Sequence, residues 1–408
     1  MEHPDVPHLL GLLFVMMGTA KLFGHCAQCL GQPSVLGELL AGVLVGTSVL
    51  GLVDPSAPVL HALGELGVLI LLFSIGLETD LKSLLKVGSA SVAVALSGVV
   101  LPFAMGYGTG LALGLSNVAA IVVGATLTAT SVGITARVLS DLGRLKTPEG
   151  QVILGAAILD DVIGLVILSV VAGMTGGQSV SLAMIAKTTG IAFGFLVATV
   201  IVGRFVITPI AHLSRKIDLP GTPTILALML AFGLGWLADR VGSAPILGAF
   251  AAGILIVGTP RFHDIEVGVT RLGHFFVPLF FVTVGAAVDV TVLNPLDPVN
   301  HRTLVIAVLL SVVAVAGKFL SGYAPFWFDG NKSVIGAGMI PRGEVGLIFA
   351  AMGKGAGILD EGMFAAVTVV VMVTTFIAPP LLKFLAPPRA EAHPEKDHEG
   401  IEDLATEG

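Results

Sequence analysis

The sequence has few charged residues. Only 12% of its 408 residues are Asp, Glu, Lys or Arg, whereas 55% are hydrophobic. A soluble globular protein has about 25% charged residues, so this composition excludes an ordinary soluble domain. Apolar windows of about 20 residues, each long enough to cross the hydrocarbon core of a bilayer, recur along the whole chain. We therefore expect an all-α polytopic membrane protein.

The sequence also lacks the patterns of most soluble enzymes. It has no His/Cys set with metal-ligand spacing, no phosphate-binding glycine-rich loop and no basic patch for nucleic acid. Cys26 and Cys29 lie on an apolar span without the βαβ context of a thioredoxin-like site, so we expect small buried residues there. The first apolar stretch, residues 8–30, lacks a basic start, and we expect no cleavable signal. We predict no enzymatic activity and no cofactor.

About thirteen apolar spans can be drawn along the chain. The breaks between them contain turn residues or charges, as in "VDPSAP" and "SRKIDLPGTP". The spans cover residues 8–30, 34–52, 57–77, 89–113, 116–140, 149–173, 182–212, 222–240, 243–258, 266–290, 302–326, 332–355 and 360–386.

The positive charges in the loops predict the orientation. With the N-terminus outside, thirteen Lys and Arg residues lie in inner segments and four at outer ends, which favours N-out and C-in. Residues 387–408 hold seven acids and two bases without an apolar period. We expect them to form a disordered acidic cytoplasmic tail.

Two groups of three spans predict an inverted repeat. Residues 89–173 and 302–386 begin seven spans apart, and an odd separation means opposite orientations in the membrane. The middle span of each group is interrupted, at "GATLTATSVGITARV" (124–138) and at "GAGMIPRGEVGLIFA" (336–350). Paired interrupted helices in inverted halves indicate a transporter site. Ordinary kinks are the alternative, because Gly and Pro are frequent in membrane helices.

Two adjacent carboxylates, Asp160 and Asp161, lie in the middle of the apolar stretch "GAAILDDVIGLVILSVVAG". A charge at this depth costs about 3 kcal/mol on insertion scales, and ionised residues there indicate function. Consecutive helical residues point about 100° apart, so the two carboxylates face different surroundings. The alternative is an error in the span boundary that places both at an interface.

Further polar residues lie inside or near the spans. Lys318 in "VVAVAGKFLSGY" needs an anion, which Asp160 or Asp161 could supply, or it extends to the nearer membrane face. Glu38 and Glu65 either line an access funnel or are packed, hydrogen-bonded glutamates at helix ends.

Five residues at the two interruptions are candidates for the site. Arg342 and Glu344 follow the break at Pro341, where they pair with each other or with the crossing helix, in a structural or a transport role. Thr130 and Ser131 offer hydroxyl oxygens at the first break, or they bond back to helix carbonyls. Oxygen ligands suit hard monovalent cations. A carboxylate that binds either a cation or a proton, and that is exposed to each side in turn, gives antiport.

These residues resemble the monovalent cation/proton antiporters of the second cation/proton antiporter family, most closely the NapA-type Na+/H+ antiporters. The likeness covers about residues 8–386. It rests on the landmarks "GQPSVLGELLAGVLVG", "LLLFSIGLETDLK", "TATSVGITARVL", "GAAILDDVIGLV", "GKFLSGY" and "PRGEVGLI".

The resemblance implies an NhaA/NapA-like fold with about 13 transmembrane helices, inverted repeats and two broken crossing helices. It implies that Asp161 binds Na+ (or Li+) and H+ by turns, with Asp160 beside it paired to Lys318. Thr130 and Ser131 are implied to lie next to the cation. It further implies elevator-type exchange by a homodimer in the plasma membrane of a prokaryote, with lipid but no nucleic acid as partner. Electrogenic exchange is a separate hypothesis, in which Lys318 carries a second proton; the alternative is that Lys318 is always charged and serves as a structural clamp on Asp160.

The chain then divides into six segments. They are 1–88 and 213–301 (scaffold and dimerisation helices), 89–173 and 302–386 (core repeats 1 and 2), 174–212 (a linking helix) and 387–408 (the tail).

K+/H+ antiport and sodium-coupled solute symport remain alternatives. An intramembrane aspartyl protease fits less well, since adjacent carboxylates on one helix do not face each other. A passive channel also fits less well, because inverted broken helices favour alternating access over an oligomeric ring or filter.

Overall fold

The computed structural model describes residues 6–79, 81–175, 221–257, 259–291 and 300–386, with single positions between 187 and 205. Throughout these residues the regular structure is helical, and the one β feature is an isolated bridge between Gly46 and Val53. Seven of the described helices are long and apolar enough to cross a membrane. The expectation of an all-α membrane protein is confirmed.

The described residues form fifteen helices, which we number in chain order. They are α1 (Val6–Cys29), α2 (Ser34–Val45), α3 (Pro58–Glu78), α4 (Leu81–Lys86), α5 (Gly88–Ala112), α6 (Asn117–Thr126), α7 (Val132–Asp141), α8 (Pro148–Thr175), α9 (Thr222–Arg240), α10 (Pro245–Ile256), α11 (Phe262–Ala286), α12 (Asn300–Ser321), α13 (Lys332–Gly338), α14 (Glu344–Gly355) and α15 (Glu361–Leu385).

Some apolar stretches form helices shorter than a bilayer. The span expected at 34–52 is helical only as α2, which has 12 residues, or about 18 Å at 1.5 Å per residue. Beyond it the chain turns, and Val53 returns beside Gly46. The span expected at 182–212 lies largely outside the described residues, as does the linking helix at 174–212. The tail at 387–408 lies wholly outside, and the total of thirteen spans stays a prediction.

Two apolar segments are interrupted helices, as the sequence predicts. The first gives α6 and α7, separated at residues 127–131, and the second gives α13 and α14, separated at 339–343. Pro341 interrupts the second segment, because proline has no backbone N–H to donate and its ring clashes with the preceding helical turn. At the first, the Thr126 and Thr128 hydroxyls donate to the carbonyls of Val123 and Ala125, at 2.6 and 2.7 Å. Such bonds compete with regular helix hydrogen bonding.

The helices pack in two groups. α1, α2, α3, α9, α10 and α11 contact one another, and α5, α6, α8, α12, α13, α14 and α15 form the second group. Glycines allow backbones to approach closely at two crossings, where Gly42 of α2 meets Gly285 of α11 and Gly76 of α3 meets Gly253 of α10. α7 contacts both groups, through α2 and α3 on one side and α8 and α15 on the other. The roles of scaffold and core stay predictions.

The two cysteines are exposed, so the expectation of small buried residues was wrong. α1 buries Ala20, Gly24 and Ala27 at a helical spacing, which defines the face that packs against α2. Cys26 and Cys29 lie off this face, at the end of a helix at the edge of the bundle.

Candidate functional site

Asp160 and Lys318 form a buried ion pair in the second helix group. α8 carries Asp160 and α12 carries Lys318, and Lys318 Nζ lies 3.1 Å from Asp160 Oδ2. The exposed fractions of the two side chains are 2% and 0%, so Lys318 does not extend to a membrane face. Among the described residues no group hydrogen-bonds to Asp160 Oδ1. Each charge of the pair is therefore balanced chiefly by the other.

Asp161 faces a different environment from Asp160. Its half-buried side chain lines a small cavity of about 20 Å³ together with Thr130, Ser131, Gly133 and Gly343. This volume suits about one water-sized occupant. The cavity thus brings one carboxylate together with residues of both interruptions, as expected for residues about 100° apart on a helix.

The two interruptions contact each other directly. The backbone N–H of Ser131 donates to the carbonyl of Pro341 at 2.8 Å. Thr130 Oγ1 donates to the carbonyl of Met339 at 3.5 Å, and Thr135 Oγ1 reaches the last residue of α13 at 2.7 Å. The Thr130 hydroxyl is therefore directed across the crossing and not back to its own helix. The crossing satisfies backbone groups that the broken helices leave open, as a membrane interior requires.

The helix ends at the crossing carry partial charges. α7 begins at Val132 and α14 at Glu344, and helix N-termini favour negative charge. Both residues that precede these helices, Ser131 and Gly343, line the cavity that holds Asp161. The position therefore favours an anionic group at Asp161. Of Glu344, the structure describes the backbone but not the side chain.

Arg342 binds the C-terminal ends of the two broken helices α6 and α13. Its side chain is fully buried, and it donates to the carbonyls of Leu127 at 2.6 Å, Ile340 at 3.2 Å and Ala314 at 3.2 Å. Thr375 Oγ1 donates to the Arg342 carbonyl at 2.6 Å. The ion pairs found in the described residues do not include Arg342. Its cation instead offsets the negative C-terminal ends of α6 and α13.

We predict that Arg342→Lys destabilises the protein. A single ammonium cannot reach three carbonyls that the planar guanidinium reaches at once, and hydrogen bonds from charged groups are worth about 1.5–3 kcal/mol each. We expect a lower Tm in detergent and slower transport. Arg302→Lys, at an exposed position of α12, is the matched control and should leave the Tm unchanged. Equal Tm values for the two variants would contradict the role of Arg342.

A larger cavity adjoins the small one. It has a volume of about 430 Å³ and is lined mainly by apolar residues of α3, α11 and α15, with His61 and Glu65 also in its wall. Val68, Phe280 and Gly343 line both cavities, so the larger one lies directly beside the cavity that Asp161 lines. Glu65 lies in the wall of the larger cavity, and its Oε1 is 3.6 Å from His61 Nδ1. That Glu65 lines an access funnel stays a prediction.

Comparisons with known proteins agree on one family. The family model described as "Sodium/hydrogen exchanger, transmembrane" matches residues 12–386. The chain is 41% identical over 406 residues to the high-affinity Na+/H+ antiporter NhaS3 of Synechocystis sp., covering 91% of this chain and 88% of that protein. It is 36% identical to the Na+/H+-K+ antiporter GerN of Bacillus cereus, covering 91% and 95%.

Solved structures show the same fold. The sodium proton antiporter MjNhaP1 of Methanocaldococcus jannaschii superposes with a TM-score of 0.69 at 18% sequence identity, covering 93% of this chain and 95% of that one. A second structure of MjNhaP1, at pH 8, gives a TM-score of 0.67 at 17% identity. The likeness over nearly the whole chain supports the helical architecture described above.

The family predicted from the sequence is confirmed. The narrower assignment, to the NapA-type proteins of the second antiporter family, differs slightly from the family that the comparisons support. The matching family model is that of sodium/hydrogen exchangers, and the relatives are named as antiporters, which are transporters and not enzymes. The matched residues include both interruptions and both adjacent carboxylates. The chain therefore belongs to the sodium/hydrogen exchanger family and is a multi-pass membrane protein of that family.

Proposed function

We propose that this protein exchanges Na+, or Li+, for H+ across the plasma membrane, with Asp161 as the ligand that the cation and the proton share. One observation carries the proposal: a carboxylate lines a cavity at the crossing of two interrupted helices, deep in an apolar helix. Ionised residues at such a depth mark ion pathways and proton relays. The family assignment supports the same substrates.

The residues around Asp161 suit a hard monovalent cation. Na+ prefers oxygen ligands, and Thr130 and Ser131 supply hydroxyl and carbonyl oxygens next to the carboxylate. Asp160 adds negative charge nearby, but its Oδ2 is held by Lys318. In this proposal Asp161 coordinates the cation, Asp160 holds Lys318, and a proton on Asp161 excludes the cation.

Transport then requires the site to open to each side in turn. We propose an elevator-type movement of the group that contains Asp161 against the group that contains α2 and α3, in a homodimer built from inverted repeats. Lys318 releases a second proton when a cation reaches Asp161, so two protons exchange for one Na+. Moving one elementary charge is worth about 2.3 kcal/mol per 100 mV of membrane potential. The ion gradients supply the energy, and no cofactor is needed.

We predict that the C-terminus is cytoplasmic and the N-terminus is outside. The excess of Lys and Arg in the inner segments supports this orientation. An alkaline phosphatase fusion after residue 386 should be inactive, and a fluorescent-protein fusion at the same point should fluoresce. A phosphatase fused before α1 behind an export signal serves as the active control. An active phosphatase at the C-terminus would contradict the orientation.

K+ is the second candidate substrate, because the relative GerN is named as a Na+/H+-K+ antiporter. Purified protein in liposomes with an imposed pH difference decides between the cations. We expect Na+ and Li+ to dissipate the pH difference, and K+ to act weakly. If K+ alone dissipates the pH difference, the substrate is K+ and not Na+. A sodium-coupled symporter would move no protons with any alkali cation, and that result would overturn the proposal.

A further inference from the structure

A polar cluster joins the two helix groups at a distance from the ion site. Ser34, at the start of α2, donates its hydroxyl to Asp141 Oδ2 at 2.9 Å. Arg137, one turn before Asp141 on α7, lies with Nε 3.1 Å from Asp141 Oδ1 and donates from Nη2 to Ser34 Oγ at 3.3 Å. Three side chains thus tie α7 to α2.

Glu38 lies one turn beyond Ser34 on the same helix. Its side chain is 3% exposed, and no group in the described part of the chain hydrogen-bonds to its Oε2. The charged groups near enough to act on it are Arg137, Asp141 and Lys21. A buried carboxylate oxygen without a hydrogen bond is costly and calls for a physical explanation.

The distance from Ser34 to Glu38 along α2 is close to the length of one helical turn. Glu38 is four positions further along α2 than Ser34, which is about 6 Å along a helix axis. A shift of one packed element past another by one turn, about 5.4 Å, is one of the known types of switching transition. α7 contacts both helix groups, so a movement of the groups relative to each other displaces Arg137 along α2.

We propose that Glu38 is the second acceptor for Arg137, occupied when α7 has moved by one turn along α2, whereas Ser34 is the acceptor in the conformation seen here. The inference rests on the alternating-access part of the proposed function. In each conformation Arg137 then has a partner on α2, and the carboxylate that is unused in one conformation is used in the other. Glu38 is a positioning residue that sets the balance between the two conformations and does not contact the transported ion.

The proposal predicts a specific kinetic effect. Without the carboxylate, Arg137 keeps Asp141 on its own helix but has no charged acceptor on α2 in the moved conformation, so that conformation is less populated. Coupling of this kind changes an equilibrium by roughly 5- to 150-fold. We expect Glu38→Gln to lower the Vmax of Na+/H+ exchange about tenfold, with an unchanged KM for Na+ because Asp161 and its cavity are untouched.

A double-mutant cycle in liposomes tests the proposal. Glu38→Gln, Arg137→Gln and the double variant are compared with wild type, and Glu361→Gln, whose side chain is 90% exposed, is the matched control with wild-type kinetics. If Glu38 acts through Arg137, the double variant should be no slower than Arg137→Gln alone. Independent, additive losses of Vmax, or a rise in KM alone, would overturn the role of Glu38.

A second variant at position 38 and the exchange activity of the wild type distinguish the remaining outcomes. If Glu38→Gln does not fold, Glu38→Met replaces it, because it also removes the charge and keeps a similar side-chain length: a lower Vmax with an unchanged KM supports the proposal, and a wild-type Vmax overturns it. Absence of cation-dependent exchange by the wild type would overturn the proposed function itself. Wild-type exchange together with additive losses would overturn only the inference about Glu38.

Discussion

Replacing Asp161 with Asn should abolish Na+/H+ exchange while the protein still folds. The amide keeps the size of the side chain but cannot bind a proton reversibly, and it offers the cation no negative charge. In liposomes with an imposed pH difference, Na+ should then cause no more proton movement than in liposomes without protein. The Tm should change little, because the side chain is only half-buried and lines a cavity.

Asp239→Asn is the matched control for this substitution. Asp239 is exposed near the end of α9, so the loss of its charge should leave exchange at the wild-type rate. Wild-type exchange by Asp161→Asn would show that the cation and the proton bind elsewhere.

Replacing Lys318 with Gln should have the second large effect, on voltage dependence and on stability. If Lys318 carries the second proton, the remaining exchange should no longer respond to a potential imposed with potassium and valinomycin. Removing one partner of a buried ion pair costs about 3–5 kcal/mol, because the other charge is left in the interior. We therefore also expect a marked fall of the Tm.

The double variant Asp160→Asn/Lys318→Gln separates the two effects. With both charges removed, no uncompensated charge is left, so the Tm should recover while exchange remains insensitive to the potential. Residual exchange by Lys318→Gln that is still accelerated by the potential would show that Lys318 keeps a constant charge and serves as a clamp on Asp160.

Much of the architecture could be predicted from the sequence because long apolar runs have few ways to fold in a membrane. The span expected at 149–173 is helical over 148–175, and that at 360–386 over 361–385. Both interruptions could also be placed, since Pro341 and the cluster of Thr, Ser and Gly around residue 130 disturb regular helix hydrogen bonding.

Other features depend on tertiary contacts that leave no pattern in the sequence. The main partners of Arg342 are backbone carbonyls, and every residue has a carbonyl, so no motif indicates which ones it contacts. The exposure of Cys26 follows from the position of α1 at the edge of the bundle. The ion pair between Asp160 and Lys318 joins residues 158 positions apart, and only the way in which α8 and α12 both pack on α5 decides which of the two carboxylates meets the Lys.

The pH dependence of the KM for Na+ tests most directly whether one carboxylate binds both ions. If the proton and Na+ compete at Asp161, the KM should rise as the pH falls below the pH of fastest exchange and should approach about a tenfold rise for each pH unit, while the Vmax at saturating Na+ stays constant. The measurement uses wild-type protein in liposomes with equal pH on both sides and a Na+ gradient. A KM that does not change with pH, combined with a falling Vmax, would contradict a shared site.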